Sequence, residues 1–145
     1  MRPVPKQYKM HFGFGELYPP ALQYLTIDGR HKGFDFLTPK GINVIASVDG
    51  ILNFAGWKRG FGNCVYIKFW AGRWLRQTTY RLILAHLDKI LIEKKINARI
   101  GKWETIGLSG DSGMALNHPH LHLQCDQLIQ GQWIPVNPSF AIGAT

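Results

Sequence analysis

Short apolar runs with two-residue alternation recur along this chain, and turn formers separate them. Ile42-Asn43-Val44-Ile45-Ala46 and Gly50-Ile51-Leu52-Asn53-Phe54-Ala55 flank Val48-Asp49-Gly50, and an Asp-Gly pair between such runs predicts a hairpin. Asn63 to Phe69 is β-branched and aromatic, and Thr78 to His86 reads as another strand. Leu87 to Ile100 has a mixed pattern that predicts a turn and strand, with room for a short helix. Thr105 to Gly110 and His120 to Cys125 end the series. Strands at this spacing predict an all-β (mainly β) fold, a small antiparallel sandwich or open barrel. Residues 1 to 25 are Pro- and aromatic-rich and lack periodicity. Pro19-Pro20 favours extended backbone there, so this segment is expected to wrap the core. No internal repeat or low-complexity tract breaks the pattern, and 145 residues are read as a single domain, 1–145.

Composition sharpens the picture in three ways. Hydrophobic residues make up 46% of the chain, enough for one core. The net charge is +8, from 17 Lys and Arg against 9 Asp and Glu, and it is scattered rather than blocked. A positive field favours anionic partners such as nucleic acid, a membrane surface or an acidic cell-wall polymer, and composition does not choose among them. Cys64 and Cys125 form neither a CxxC motif nor a disulfide framework, and are read as two buried thiols. No apolar run follows the positive residues of the N-terminus, so no signal peptide is read there. No stretch approaches the length of a membrane span. The chain as given is expected to be soluble and a monomer.

The candidate chemistry lies in three phrases, His31-Lys32-Gly33-Phe34-Asp35, Ala85-His86-Leu87 and His120-Leu121-His122. On a strand, residues two apart share a face, so His120 and His122 project together while Leu121 and Leu123 pack behind. Gly33 argues for a loop entering a strand between His31 and Asp35. Imidazoles with a carboxylate are a zinc-type donor set. Singly, each residue has a plainer explanation. His31 beside Arg30 and Lys32 could be solvated, His86 could be a hydrogen-bonded core histidine, and Asp35 could cap a turn. His118 is read as a loop residue able to line a cleft, and His11 has no partner phrase. Their joint occurrence, in this order and with Gly107-Leu108-Ser109-Gly110-Asp111-Ser112-Gly113 between the last two phrases, changes the odds.

The chain resembles the lysostaphin-type zinc endopeptidases, the M23 peptidases that cut peptidoglycan peptides. The resemblance covers roughly residues 26–138. It rests on His31-Lys32-Gly33-Phe34-Asp35-Phe36, on Pro39 to Gly50, on Phe61-Gly62-Asn63, on Ala85-His86-Leu87, on Ile106 to Gly113 and on Pro119-His120-Leu121-His122-Leu123. It implies a small antiparallel β structure with an open substrate groove. It implies His31, Asp35 and His122 as ligands of Zn2+, and His86 and His120 as catalytic histidines. Tyr24 is the candidate for a tyrosine that some relatives place near the oxyanion. Leu84 stands where the family often has Tyr, the usual Gly near Lys94-Lys95-Ile96 is absent, and Met114 to His118 forms a longer linker.

That resemblance implies a zinc-dependent endopeptidase acting on peptidoglycan stem or cross-bridge peptides at the cell wall or periplasm; the lack of a signal peptide as read above fits a phage lysis enzyme, the reading favoured here, or a chain trimmed of its signal. Metal-activated water would be the nucleophile, with one imidazole as acid and base and the other helping the oxyanion. Which histidine does which is left open. The alternative is a non-catalytic relative that binds the wall or a partner. A histidine-pair carrier domain of sugar phosphotransfer systems is disfavoured by Asp35. No nucleic-acid motif accompanies the charge, so no nucleic-acid partner is expected.

Overall fold

Alternating side chains lay down the strands in chain order. They are β1 (Met10–Phe12), β2 (Gly33–Phe36), β3 (Asn43–Ile45), β4 (Gly50–Lys58), β5 (Gly62–Arg73), β6 (Arg76–Ile90), β7 (Arg99–Ile100), β8 (Thr105–Ser109), β9 (Leu121–Ile129) and β10 (Gln132–Val136). A short helix, α1 (Ser139–Ile142), follows. The structure, a computed structural model, describes residues 1–142. All ten strands join one antiparallel sheet, ordered β1-β2-β9-β6-β5-β4-β7, with β10 on β9 and β3 on β8. The predicted antiparallel all-β class is the one observed.

The long strand β6 organises the sheet. One of its edges pairs with β5 from Arg76 to Leu87. The other pairs first with β9, over Tyr80 to Ala85, and then with β8, over Leu87 to Ile90. The sheet therefore divides beside His86. Phe34 and Phe36 of β2, Leu82 and Leu84 of β6, and Leu121 and Leu123 of β9 share one buried cluster with Val44, Ile100 and Ile106 from the far strands. Burying such a side chain is worth about 1.5–3 kcal/mol, so this alternation sets which way each strand faces. On the opposite face a smaller cluster of Cys64, Tyr66, Ile83 and Ala85 packs with Phe54 and Phe61. Both cysteines are buried and free, as their spacing predicts.

Three expectations need correction. The Asp49-Gly50 pair does not close a hairpin, because β3 pairs with β8 while β4 pairs with β5 and β7. The chain around Ala46 exchanges backbone hydrogen bonds with Trp103 and Glu104, and Asp49 accepts from the Lys102 amide at 2.8 Å. Long-range pairing thus outcompetes the local turn. Between Leu87 and Ile100 there is no helix: β6 runs on to Ile90, and only the two-residue β7 follows. The strand series also continues beyond Cys125. Gln130 and Gly131 both have positive φ, 49° and 78°, the signature of a tight two-residue hairpin turn, and this turn joins β9 to β10.

The N-terminal segment is tied to the body. Val4 is buried in the main cluster, the Ile45 amide donates to the Pro3 carbonyl, and β1 pairs with β2. Among the described residues no helix is long and apolar enough to cross a membrane.

At Gly33 the β2 backbone lies close against β9. A Cβ there would press on the Leu123 carbonyl and lie 2.8 Å from His122 Cε1. Gly33→Ala is therefore expected to cost about 1–3 kcal/mol by overpacking. Urea unfolding checks this; an unshifted midpoint would show that β2 has slack.

Candidate metal centre and flanking histidines

The register of three strands assembles the centre. Asp35 of β2 lies opposite His122 of β9, and Ala85 of β6 lies on the other side of His122. Phe34, Phe36, Leu121 and Leu123 occupy the main core, so Asp35 and His122 must face the other way. Asp35 Oδ1 is 2.8 Å from His122 Nδ1 and 3.1 Å from His31 Nε2. The two ring nitrogens are 3.1 Å apart.

His31 precedes β2 and is held by the N-terminal segment. Its amide donates to the Glu16 carbonyl and its carbonyl accepts from the Gly15 amide, each at 2.8 Å. Its ring Nδ1–H donates to the Gly13 carbonyl at 3.1 Å. That bond leaves the Nε2 lone pair free to face Asp35 and His122. Phe12 stacks on the ring at 4.5 Å between centroids, and Tyr18 meets it edge-on at 5.7 Å.

The three donor atoms fit a divalent metal. They lie within 4.8 Å of one another. Tetrahedral zinc with nitrogen and oxygen ligands requires separations of about 3.3 Å, close to those observed. Three protein donors also leave a position open for water or substrate.

Two further imidazoles stand beside the trio. His86 sits on a bulge, where the register advances from Leu84 to Leu87 on β6 while β5 moves only from Val65 to Asn63. Its φ is 61°, a conformation that costs a non-glycine residue about 1–3 kcal/mol and aims the side chain out of the ladder's normal direction. The His86 amide donates to the Phe61 carbonyl at 2.8 Å, and the ring Nδ1–H donates to the Ser112 carbonyl at 2.8 Å. Ser112 is itself clamped: its hydroxyl donates to the Leu87 carbonyl and accepts from the Asn63 amide. His120, in a bridge with Gly110 just before β9, donates Nδ1–H to the His118 carbonyl at 2.7 Å. Its Nε2 lies 3.6 Å from Asp35 Oδ1. The His86 and His120 rings are 4.7 Å apart between centroids.

The local electrostatics match this geometry. Burial pushes the Asp35 carboxyl upward, but hydrogen bonds from His122 and His31 and the charges of His122 and His120 outweigh it, holding Asp35 well below the usual carboxylate range. Burial, then the like charges of His122 and His120, lower His86 to about 3. Burial also lowers His120, opposed by Asp35. Both flanking imidazoles are thus held toward the neutral form.

His31, Asp35, His86, His120 and His122, the five site residues read from the sequence, all meet in this cluster. Tyr24 is 75% exposed, on the 3₁₀ turn Pro20–Leu25. The tyrosine touching the cluster is Tyr18, whose hydroxyl is raised to about 12 by burial and by Asp35. It carries no motif that would single it out in the sequence. His11 and His118 line a hollow of about 310 Å³ that opens beside Asp35 and His120. A larger hollow of about 690 Å³ lies at the β4–β7 edge and contains none of these histidines.

Residues 29–138 match the family model for peptidase family M23. The chain belongs to that family. The M23 chain is 40% identical over 108 residues to the DD-carboxypeptidase/endopeptidase Mpg of Neisseria meningitidis, covering 74% of this chain and 22% of that protein. It thus spans about a fifth of the length of that curated relative. The catalytic domain of the antimicrobial peptidase lysostaphin from Staphylococcus simulans superposes with a TM-score of 0.70 at 25% identity, over 94% of both chains. A zinc-containing peptidase from Vibrio cholerae superposes with a TM-score of 0.72 at 28% identity, over 99% of this chain and 39% of that one.

The lowered His86 makes a pH prediction for the metal-stripped M23 chain. Between about 3 and the ordinary 6.5 the unfolded state binds more protons at this position than the folded state does. Stability must therefore fall as pH drops through that window. His86→Gln is expected to flatten the fall between about pH 7 and about pH 5.5, above the range where most carboxylates titrate. Urea midpoints at the two pH values check it; an unchanged slope would mean His86 is not held neutral.

Proposed function

We propose that this M23 chain is a zinc-dependent endopeptidase that hydrolyses peptide bonds of peptidoglycan, in the stem peptide or the cross-bridge. The observation that carries the reading is the convergence of His31 Nε2, Asp35 Oδ1 and His122 Nδ1, with two neutral imidazoles alongside. Those three atoms would hold the zinc. When bound, the metal supplies Lewis acidity, which polarises a carbonyl and lowers the pKa of water toward ~7.

The protein's own groups supply the proton transfers. Nδ1 of His86 and of His120 is committed to a backbone carbonyl, so each presents Nε2 as a base. One of them takes a proton from the attacking water and returns it to the leaving amine, a gain of about 10²–10⁴-fold. The other orients the water or donates to the carbonyl oxygen as negative charge develops there. The hollow beside His118 and His120 gives an extended peptide a path to this point. A net charge of +8 favours approach to anionic wall polymers. We place the action at the cell wall, in a lytic role of the kind a phage lysis enzyme plays.

Purified protein is expected to release soluble amines from isolated cell walls, to lose this activity on chelation and to regain it with zinc. No release from any wall type would overturn the reading. Asp35→Ala is expected to lose bound zinc, whereas His86→Ala keeps zinc and loses about 10²–10⁴-fold in kcat. Metal analysis of both variants separates the roles; an empty site in His86→Ala would make that residue a ligand instead.

A further inference from the structure

The face of β9 that carries His122 continues through Gln124 and Asp126, since side chains two apart share a face. Opposite them on β6 stand Ala85, Ile83 and Arg81. A chain of polar contacts runs along this row. His122 Nδ1 faces Asp35, and His122 Nε2 lies 3.4 Å from Gln124 Oε1. Gln124 Nε2 donates to Asp126 Oδ1 at 2.7 Å. Arg81 Nε donates to Asp126 Oδ2 at 2.8 Å. Gln124 and Asp126 are buried, at 9% and 1% exposure. The Arg81 guanidinium packs on the rings of Trp133 and Tyr66, at 4.7 and 5.0 Å.

The polarity of this chain runs in one direction. Arg81 only donates, and a carboxylate paired with it only accepts. Gln124 must therefore turn its amide nitrogen toward Asp126 and its oxygen toward His122. That oxygen accepts only from an Nε2–H. Gln124 thus holds a proton on Nε2, the arrangement that frees Nδ1 for a metal, whereas Asp35 Oδ1, 2.8 Å from Nδ1, draws the proton the other way when no metal is bound. A flipped Gln124 amide would favour the other tautomer, with a proton on Nδ1 pointing into the donor trio. A buried ion pair adds little net stability by itself. Here it sets the position of a proton.

We propose that Gln124, Asp126 and Arg81 are positioning residues that fix the tautomer and ring orientation of His122 and so set the affinity of the centre for its metal. The inference rests on the metal reading above. Groups behind a ligating imidazole typically change metal affinity by 10–100-fold.

The test uses Gln124→Leu, which removes the acceptor, and Asp126→Asn, which keeps the shape but lets the Gln124 amide turn. Zinc affinity is measured by competition with a chromogenic chelator, and the thermal midpoint of the metal-free protein reports any purely structural effect. Ring-nitrogen NMR of the metal-free protein reports the His122 tautomer. Both variants are expected to bind zinc about 10–100-fold more weakly and, without metal, to shift the His122 proton from Nε2 toward Nδ1 relative to the wild type. Unchanged zinc affinity with the tautomer preserved would overturn the inference while leaving the metal centre standing. A lowered metal-free midpoint with wild-type affinity would overturn it too, in favour of a packing role. Failure of the wild-type protein to bind zinc would overturn the metal reading itself, and the spectra would still show whether the row sets the tautomer.

Discussion

Asp35 faces His122 because β2 and β9 pair in one antiparallel register. A slip of one residue would turn Asp35 into the apolar core and bring a phenylalanine to the centre. Phe34, Phe36, Leu121 and Leu123 resist that slip, being almost completely buried. The polar cluster does little to place itself. A carboxylate and several imidazoles drawn out of water cost free energy to assemble, and hydrophobic packing on the other side of the same strands offsets it. The core is thus the positioning device for the chemistry.

The second pair of imidazoles depends on an irregularity rather than on regular pairing. β6 leaves β9 and takes up β8 at His86, and the bulge there swings the ring toward His120. Hydrogen bonds from His86 to the carbonyls of Phe61 and Ser112 hold this unfavourable backbone in place. The same packing that crowds His86 against His120 and His122 keeps it unprotonated. Local strain, burial and the acid–base character of the residue therefore have one origin.

Much of this was legible in the sequence, and for identifiable reasons. Two-residue alternation revealed β5, β6, β8 and β9, because one side of each strand is buried. The same alternation in His120-Leu121-His122 marked a shared face, and it extends to Gln124 and Asp126. The Asp49-Gly50 turn misled because pairing of β3 with β8 is a long-range choice that no local dipeptide encodes. The groups that orient the imidazoles were also hidden. The carbonyls of Gly13, Ser112 and His118 are backbone atoms common to every residue. Tyr24 attracted notice by its distance from His31 along the chain, whereas Tyr18 reaches that ring through space.

The topology has a temporal consequence. His31 and His122 are separated by 91 positions, and Asp35 and His122 by 87. β9 lies between β2 and β6, both of which precede it in the polypeptide. During synthesis the earlier segments must wait for a late-emerging one to slot between them, and such non-local closure is slow. On the reading proposed above, hydrolytic competence arrives only with the last steps of maturation, so unfinished chains carry the donors but no working centre.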